Sequence, residues 1–213
     1  MLQTHTVGTK TLDLLMSLQS RDYLKNFHLA GGTALALYYG HRKSIDIDLF
    51  TNRAFDTEQL LENLQQDYVF QIYHTSPYTL KGHIRGINVD ILAHRYPYVE
   101  NPKVLDGVTL SSEKDIIAMK LNAISLSGQR SKDFIDIWFA LDNYSLKEML
   151  DFYLNKYQQE TYSHILKSLT YFDDVDLTDW PVMLKVQNLT WNTVKKDIEK
   201  AVLKHIQEHT SGS

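Results

Sequence analysis

Two aspartates one residue apart, Asp46 and Asp48, stand in the run Ser44-Ile45-Asp46-Ile47-Asp48-Leu49-Phe50. Alternate side chains of a β-strand share a face. The spacing therefore predicts that Ser44, Asp46 and Asp48 project together while Ile45, Ile47 and Leu49 turn into the core. Carboxylates fixed side by side repel one another unless a cation lies between them. Oxygen ligands of this kind suit Mg²⁺, which is usually shared with substrate phosphates. Upstream, Gly31 and Gly32 precede a short helical run. Glycines there let backbone amides approach a phosphate chain at a helix N-terminus, whose dipole favours anions. On its own the glycine pair reads equally well as a simple strand-to-helix turn. Together the two features describe a metal site beside a phosphate site, the chemistry of nucleotides.

A third carboxylate, Asp90, interrupts the apolar run Ile87–Ala93. Its neighbours Val89, Ile91 and Leu92 belong in a core, so an aspartate among them needs a reason. Either backbone donors at a strand end satisfy it, or this strand lies beside Ser44–Phe50 and Asp90 joins Asp46 and Asp48. Three such carboxylates can hold two Mg²⁺ ions about 3.5–4 Å apart, stabilising the attacking and leaving oxygens of an in-line displacement. Asp90 is then the group to activate an acceptor hydroxyl or take its proton.

The elements that must position these residues follow from periodicity. Residues 11–26 carry apolar positions at helical spacing, and Phe27–Ala30 reads as a strand entering a tight turn. A helix follows over Thr33–Tyr39, with Thr33 as cap and Gly40 at its end. After the Ser44–Phe50 strand come a helix over 56–66 capped by Asp56 and strands over 68–75, 78–84 and 87–93. Residues 1–105 thus form an α/β domain with one mixed sheet and helices packed on it. Beyond Pro97 and Pro102 the pattern changes. Ser111 or Ser112 caps a helix to Leu126, and segments 131–142, 145–158, 160–171 and 191–209 repeat the helical spacing. Residues 106–209 read as a C-terminal helical bundle, so the class is α/β (α+β), and residues 210–213 read as a disordered tail.

Composition narrows the function classes. A hydrophobic content of 43% and a charged content of 23% fit an ordinary globular protein. The absence of cysteine excludes disulfides, thiolate zinc sites and cysteine nucleophiles. No apolar stretch is long enough for a bilayer and no leader pattern opens the chain, so the expected location is the cytoplasm, without a membrane partner. A net charge of −4 argues against a surface coated in positive charge but leaves room for a local basic groove. His205 and His209 are i and i+4 on the last helix, a spacing that can hold a metal, but nothing else converges on them. His41, beside Arg42, reads as a solvated loop histidine or one facing a nucleotide.

The block LAGGTALALYYGHRKSIDIDLF, followed by VDIL, EKDIIAMKLNAI and SKDFIDIWFAL, resembles the AbiEii/AbiGii nucleotidyltransferase toxin family of the polymerase-β-like nucleotidyltransferase superfamily. The segment WPVMLKVQNLTWNTVKKDI is similar to the family's C-terminal part, so the resemblance covers nearly the whole chain. It implies an N-terminal nucleotidyltransferase core that moves a nucleoside monophosphate from a nucleoside triphosphate (NTP) to a hydroxyl acceptor, with two Mg²⁺ ions as cofactors. It further implies a toxin of a toxin–antitoxin pair, with a cognate antitoxin as partner and tRNA among the acceptors. Asp46 and Asp48 would bind metal, with Asp90 as the further strand carboxylate. Gly31, Gly32, Thr33 and Ser44 would lie near the phosphates, and Arg42 belongs to the same combination. Superfamily members often carry Gly-Ser where this chain has Gly31-Gly32-Thr33, and the threonine keeps the hydroxyl.

The resemblance also gives an active-site role to Lys120 and to an aspartate of KDFID. On its residues alone Lys120 reads as solvated. The resemblance makes it a ligand of the triphosphate or a donor to the leaving pyrophosphate. Asp133 and Asp136 share one helix face and can orient Lys120 or Arg130 by a charge-assisted hydrogen bond. Asp136 is favoured for this, with Asp133 as a helix-start residue. Lys114, Lys120, Arg130, Lys132, Lys195, Lys196, Lys200 and Lys204 are candidates for a polyanion groove. Two alternatives stand beside this reading: an antibiotic-type enzyme with a small-molecule acceptor, and a nucleotide-binding module without turnover.

Overall fold

The computed structural model describes residues 1–210, the last two by backbone alone, so the tail segment 211–213 lies outside the described residues. The chain divides into two compact units, Met1–Ser112 and Glu113–Ser213.

The first unit contains helices α1 (Thr9–Gln19), α2 (Gly31–Tyr39) and α3 (Thr57–Asp67). Its strands are β1 (His28–Leu29), β2 (Ile47–Thr51), β3 (Phe70–Ser76), β4 (Thr79–Ile84), β5 (Ile87–Ala93), β6 (Lys103–Leu105) and β7 (Val108–Leu110). They form one seven-stranded sheet in the order β3-β4-β5-β2-β1-β7-β6. The pairs β2–β5 and β1–β7 are parallel and the others antiparallel, so the sheet is mixed, as the α/β class requires. Alternation sets its two faces. Ile47, Leu49, Leu80, Ile84, Val89 and Ile91 are buried on one side, while Asp48, Lys81 and Asp90 lie on the more open side.

Four local features differ from the sequence reading. The strand expected from Ser44 begins at Ile47, because the Ser44 amide donates to Thr6 O at 3.0 Å and ties that stretch to the N-terminal segment. Helix α2 begins at Gly31 with Ala30 as N-cap, so Thr33 sits inside the first turn and caps nothing. The first helix stops at Gln19, and Leu24 reaches the core from a separate 3₁₀ turn over Asp22–Leu24. Last, the hairpin of β6 and β7 was not expected. Each strand is only three residues long, too short for alternation to register, and Asp106 and Gly107 turn the chain with φ of 49° and 81°.

The second unit is helical: α4 (Glu113–Leu126), α5 (Ser131–Ala140), α6 (Leu146–Tyr157), α7 (Ser163–Leu169) and α8 (Trp191–Thr210). Both α4 and α8 pack against α5, α6 and α7. Helix α6 starts in a capping box, Ser145 and Glu148 each satisfying the other's backbone amide. Residues 171–190 carry no helix, yet they supply Phe172, whose ring lies 5.6 Å from Phe134 and 5.5 Å from Trp191. Among the described residues no helix is long and apolar enough to cross a membrane.

Candidate active site

The parallel pairing of β2 and β5 sets Asp48 directly opposite Asp90. Asp46 lies just before β2, and Asn88 of β5 donates its Nδ2 to Asp46 Oδ1 at 2.9 Å. The three carboxylates act on a common neighbour, the Tyr73 hydroxyl. That group is held above the usual tyrosine range by desolvation first, then by the charge and hydrogen bond of Asp90, and then by the charges of Asp46 and Asp48.

Helix α2 is seated on Asp48. The Ala30 amide donates to Asp48 O at 2.8 Å. Gly31 has φ +65°, and a Cβ there would come within 2.2 Å of Asp48 Oδ2. Both the backbone angle and the space thus demand glycine. No side chain caps α2, so the Asp48 carboxylate lies where the helix dipole favours negative charge. The hydroxyls of Thr33 and Ser44 bond each other at 2.8 Å, and Thr33 Oγ1 also donates to Asp46 O at 2.5 Å. They staple the helix to the segment carrying Asp46.

Asp90 is engaged on both oxygens. Tyr73 donates to Oδ1 at 3.1 Å and Lys81 to Oδ2 at 2.5 Å. Side chains, and not backbone donors, are what satisfy this strand aspartate. Lys81 stands opposite Asp90 in the β4–β5 register, while Tyr73 occupies a register shift of β3 between Ile72 and His74. The sequence reading did not single out Lys81, Tyr73 or Asn88. The alternation of TLKGHI puts Lys81 on the polar face, but only the register reveals its partner.

Two residues near the glycines lie deeper than expected. His41 is fully buried, its ring edge-on to Tyr39 at 5.8 Å, and is not a solvated loop histidine. Arg42 is buried too and donates to Lys43 O at 3.1 Å.

In the helical unit Lys120 is buried and is not the solvated lysine its helix suggested. Its Nζ lies 2.5 Å from Asp133 Oδ1 and 2.9 Å from Asp136 Oδ2. Both aspartates of KDFID therefore hold the lysine, and Arg130 adds a longer contact to Asp133 at 3.7 Å. The helical unit holds a second buried pair, Lys156 with Asp115 at 2.7 Å. Among the basic-groove candidates, Lys120 is internal, Lys132 pairs with Asp179, and Lys204 pairs with Glu208 at 3.8 Å. His205 shares a hydrogen bond with the Tyr162 hydroxyl at 3.1 Å, and the His209 side chain lies outside the described residues. Among the described residues no three histidine or acidic side chains form a metal-holding group.

Residues 13–106 match the family described as "Nucleotidyl transferase AbiEii toxin, Type IV TA system". An uncharacterized protein of Aquifex aeolicus (strain VF5) is 37% identical over 155 residues, covering 70% of this chain and 75% of the relative. Among solved structures the chain is similar to MenT4, a nucleotidyltransferase toxin of Mycobacterium tuberculosis H37Rv, with a TM-score of 0.62 and 16% identity over 91% of this chain and 80% of that one. It is also similar to JHP933 of Helicobacter pylori, with a TM-score of 0.56 and 16% identity over 96% of this chain and 97% of that one. At such identity these two likenesses concern the fold, and they agree with the mixed sheet described above. The chain belongs to the AbiEii nucleotidyltransferase toxin family.

Proposed function

We propose that this protein is a Mg²⁺-dependent nucleotidyltransferase that moves a nucleoside monophosphate from an NTP to a hydroxyl acceptor, and that it is the toxin of a toxin–antitoxin pair. The observation that carries the reading is the seat of Gly31 on Asp48, with Asp90 in register beside it. This brings a helix N-terminus and a carboxylate pair to one end of the sheet.

The donor set at Asp46 and Asp48 consists of two half-exposed carboxylates and fits a hard ion that takes its remaining ligands from phosphate and water. Asp46 and Asp48 would hold Mg²⁺, which when bound supplies charge neutralisation to the triphosphate oxygens. Asn88 fixes Asp46 for that role. The amides at the start of α2, at Gly31 and Gly32, offer donors to phosphate oxygens with the helix dipole behind them. Asp90 takes the proton of the attacking hydroxyl, and the Lys81 ammonium orients its carboxylate through Oδ2. Positioning and charge compensation then do most of the catalysis. The family's description as the toxin of a type IV toxin–antitoxin system supports an antitoxin protein as a partner, and tRNA is one acceptor to test.

Four α-labelled NTPs, each incubated with Mg²⁺ and a cell extract split into RNA, protein and small-molecule fractions, test the reading. Label in one fraction that Asp46→Asn abolishes supports it and names donor and acceptor. Activity undiminished in Asp46→Asn would overturn the metal assignment.

A further inference from the structure

If Asp90 accepts the proton of the attacking hydroxyl, as in the reading above on which this inference rests, the chain already carries a hydroxyl at that place. Tyr73 Oη donates to Asp90 Oδ1 at 3.1 Å, and the charges of Asp46 and Asp48 reach the same oxygen. Its position comes from the shift in β3, where Ile72 pairs with Gly82 and His74 with Lys81, leaving Tyr73 as the extra residue. Such an insertion re-aims a side chain, and bulges are over-represented next to active sites. Orienting Asp90 does not by itself account for the tyrosine, since Lys81 already holds the other oxygen at 2.5 Å. Nor does packing account for it. Tyr73 is 56% exposed on an edge strand, its ring tilted against His83 at 5.1 Å.

We infer that Tyr73 is a self-nucleotidylation site. Tyr73 Oη forms a bond to the α-phosphorus of the bound NTP, and the bond from that phosphorus to the bridging α–β oxygen breaks. Pyrophosphate leaves, and the phenolic proton passes to Asp90 Oδ1. The product is a tyrosyl nucleoside-monophosphate diester, with no change of oxidation state. The adduct stands where an external acceptor hydroxyl must come, so a modified molecule no longer serves that acceptor. Because Tyr73 touches Asp90 of its own chain, the reaction proceeds within one molecule.

The test uses the full chain, purified, with each of the four α-labelled NTPs and Mg²⁺, with and without total RNA. Label on the denatured protein and on the RNA is counted from the same tube. Peptide mass mapping locates any adduct, both after incubation and on the protein as purified from cells. The expected result is one nucleoside monophosphate on the peptide containing Tyr73, absent from Y73F and D46N, formed at a rate per molecule independent of protein concentration. Label on RNA with none on the protein overturns the inference and leaves the transferase reading standing. Label in neither fraction overturns both. An adduct mapped to another residue of the wild-type chain overturns the inference however Y73F folds.

Discussion

The seat of α2 on Asp48 makes a paired test of Gly31 and Gly86. Both glycines have left-handed backbone, with φ of +65° at Gly31 and +76° at Gly86. A Cβ on Gly86 meets nothing within 4 Å, whereas one on Gly31 would come within 2.2 Å of Asp48 Oδ2 and 3.0 Å of its Cγ. Gly86→Ala therefore measures backbone strain alone, about 1–2 kcal/mol, which in a protein of this size lowers Tm by about 2–8 °C. Gly31→Ala adds to the same strain an obligatory swing of the Asp48 carboxylate. A displacement of about 1 Å at a reacting group lowers rate on the order of 100-fold. The expected outcome is two variants of similar Tm loss, of which only Gly31→Ala loses nucleotidyl transfer, read as label released or transferred from α-labelled NTP. Equal activity in the two variants would refute the argument that the glycine exists to admit Asp48.

Three further outcomes follow from the contacts. Asn88→Ala removes the amide that holds Asp46 at 2.9 Å and should lower transfer roughly tenfold or more while Tm hardly moves. A matching Tm loss would make Asn88 structural. Lys120→Met removes the ammonium that bridges buried Asp133 and Asp136, which should cost about 3–5 kcal/mol in urea unfolding. Adding Asp133→Asn and Asp136→Asn to that variant should recover part of the loss, and no recovery would place the cause elsewhere. The Glu148 carboxylate, accepting from the Ser145 hydroxyl and amide, lies below its ordinary value of 4.5. A lowered folded value contributes stability that is present above the unfolded value and lost as pH falls through the folded one. Glu148→Gln should therefore flatten the acid limb of stability as pH falls below the ordinary value of 4.5, and an unchanged limb would refute the assignment.

Where local pattern decides structure, the sequence was readable. The helices of the second half, the Asp56 cap of α3 and the position of β5 all follow from periodicity and cap chemistry, which are short-range properties. Long-range contacts account for the departures. Nothing near Ser44 says that its amide belongs to Thr6, so alternation alone extends β2 back to Ser44. The pairing of Lys81 with Asp90 depends on a register that alternation alone leaves open, and the Tyr73 position depends on a one-residue insertion that breaks alternation. Lys120 escaped because its helix is nearly apolar around its girth, with Ile116, Ile117, Ala118, Leu121 and Ile124 all buried. Such a pattern does not mark an outward face on which a lysine belongs.

The parallel register of Asp48 with Asp90 bears on when the protein first becomes active during its synthesis. Antiparallel β3, β4 and β5 are joined by short turns and can pair soon after they are made. The union of β2 with β5 must wait for that meander, because Asp46 and its Asn88 partner are 42 residues apart and non-local closures come slowly. A growing chain thus carries Asp46 and Asp48 out of the ribosome well before Asp90 exists to stand beside them. On the function proposed above, that order leaves partly made copies without a complete site.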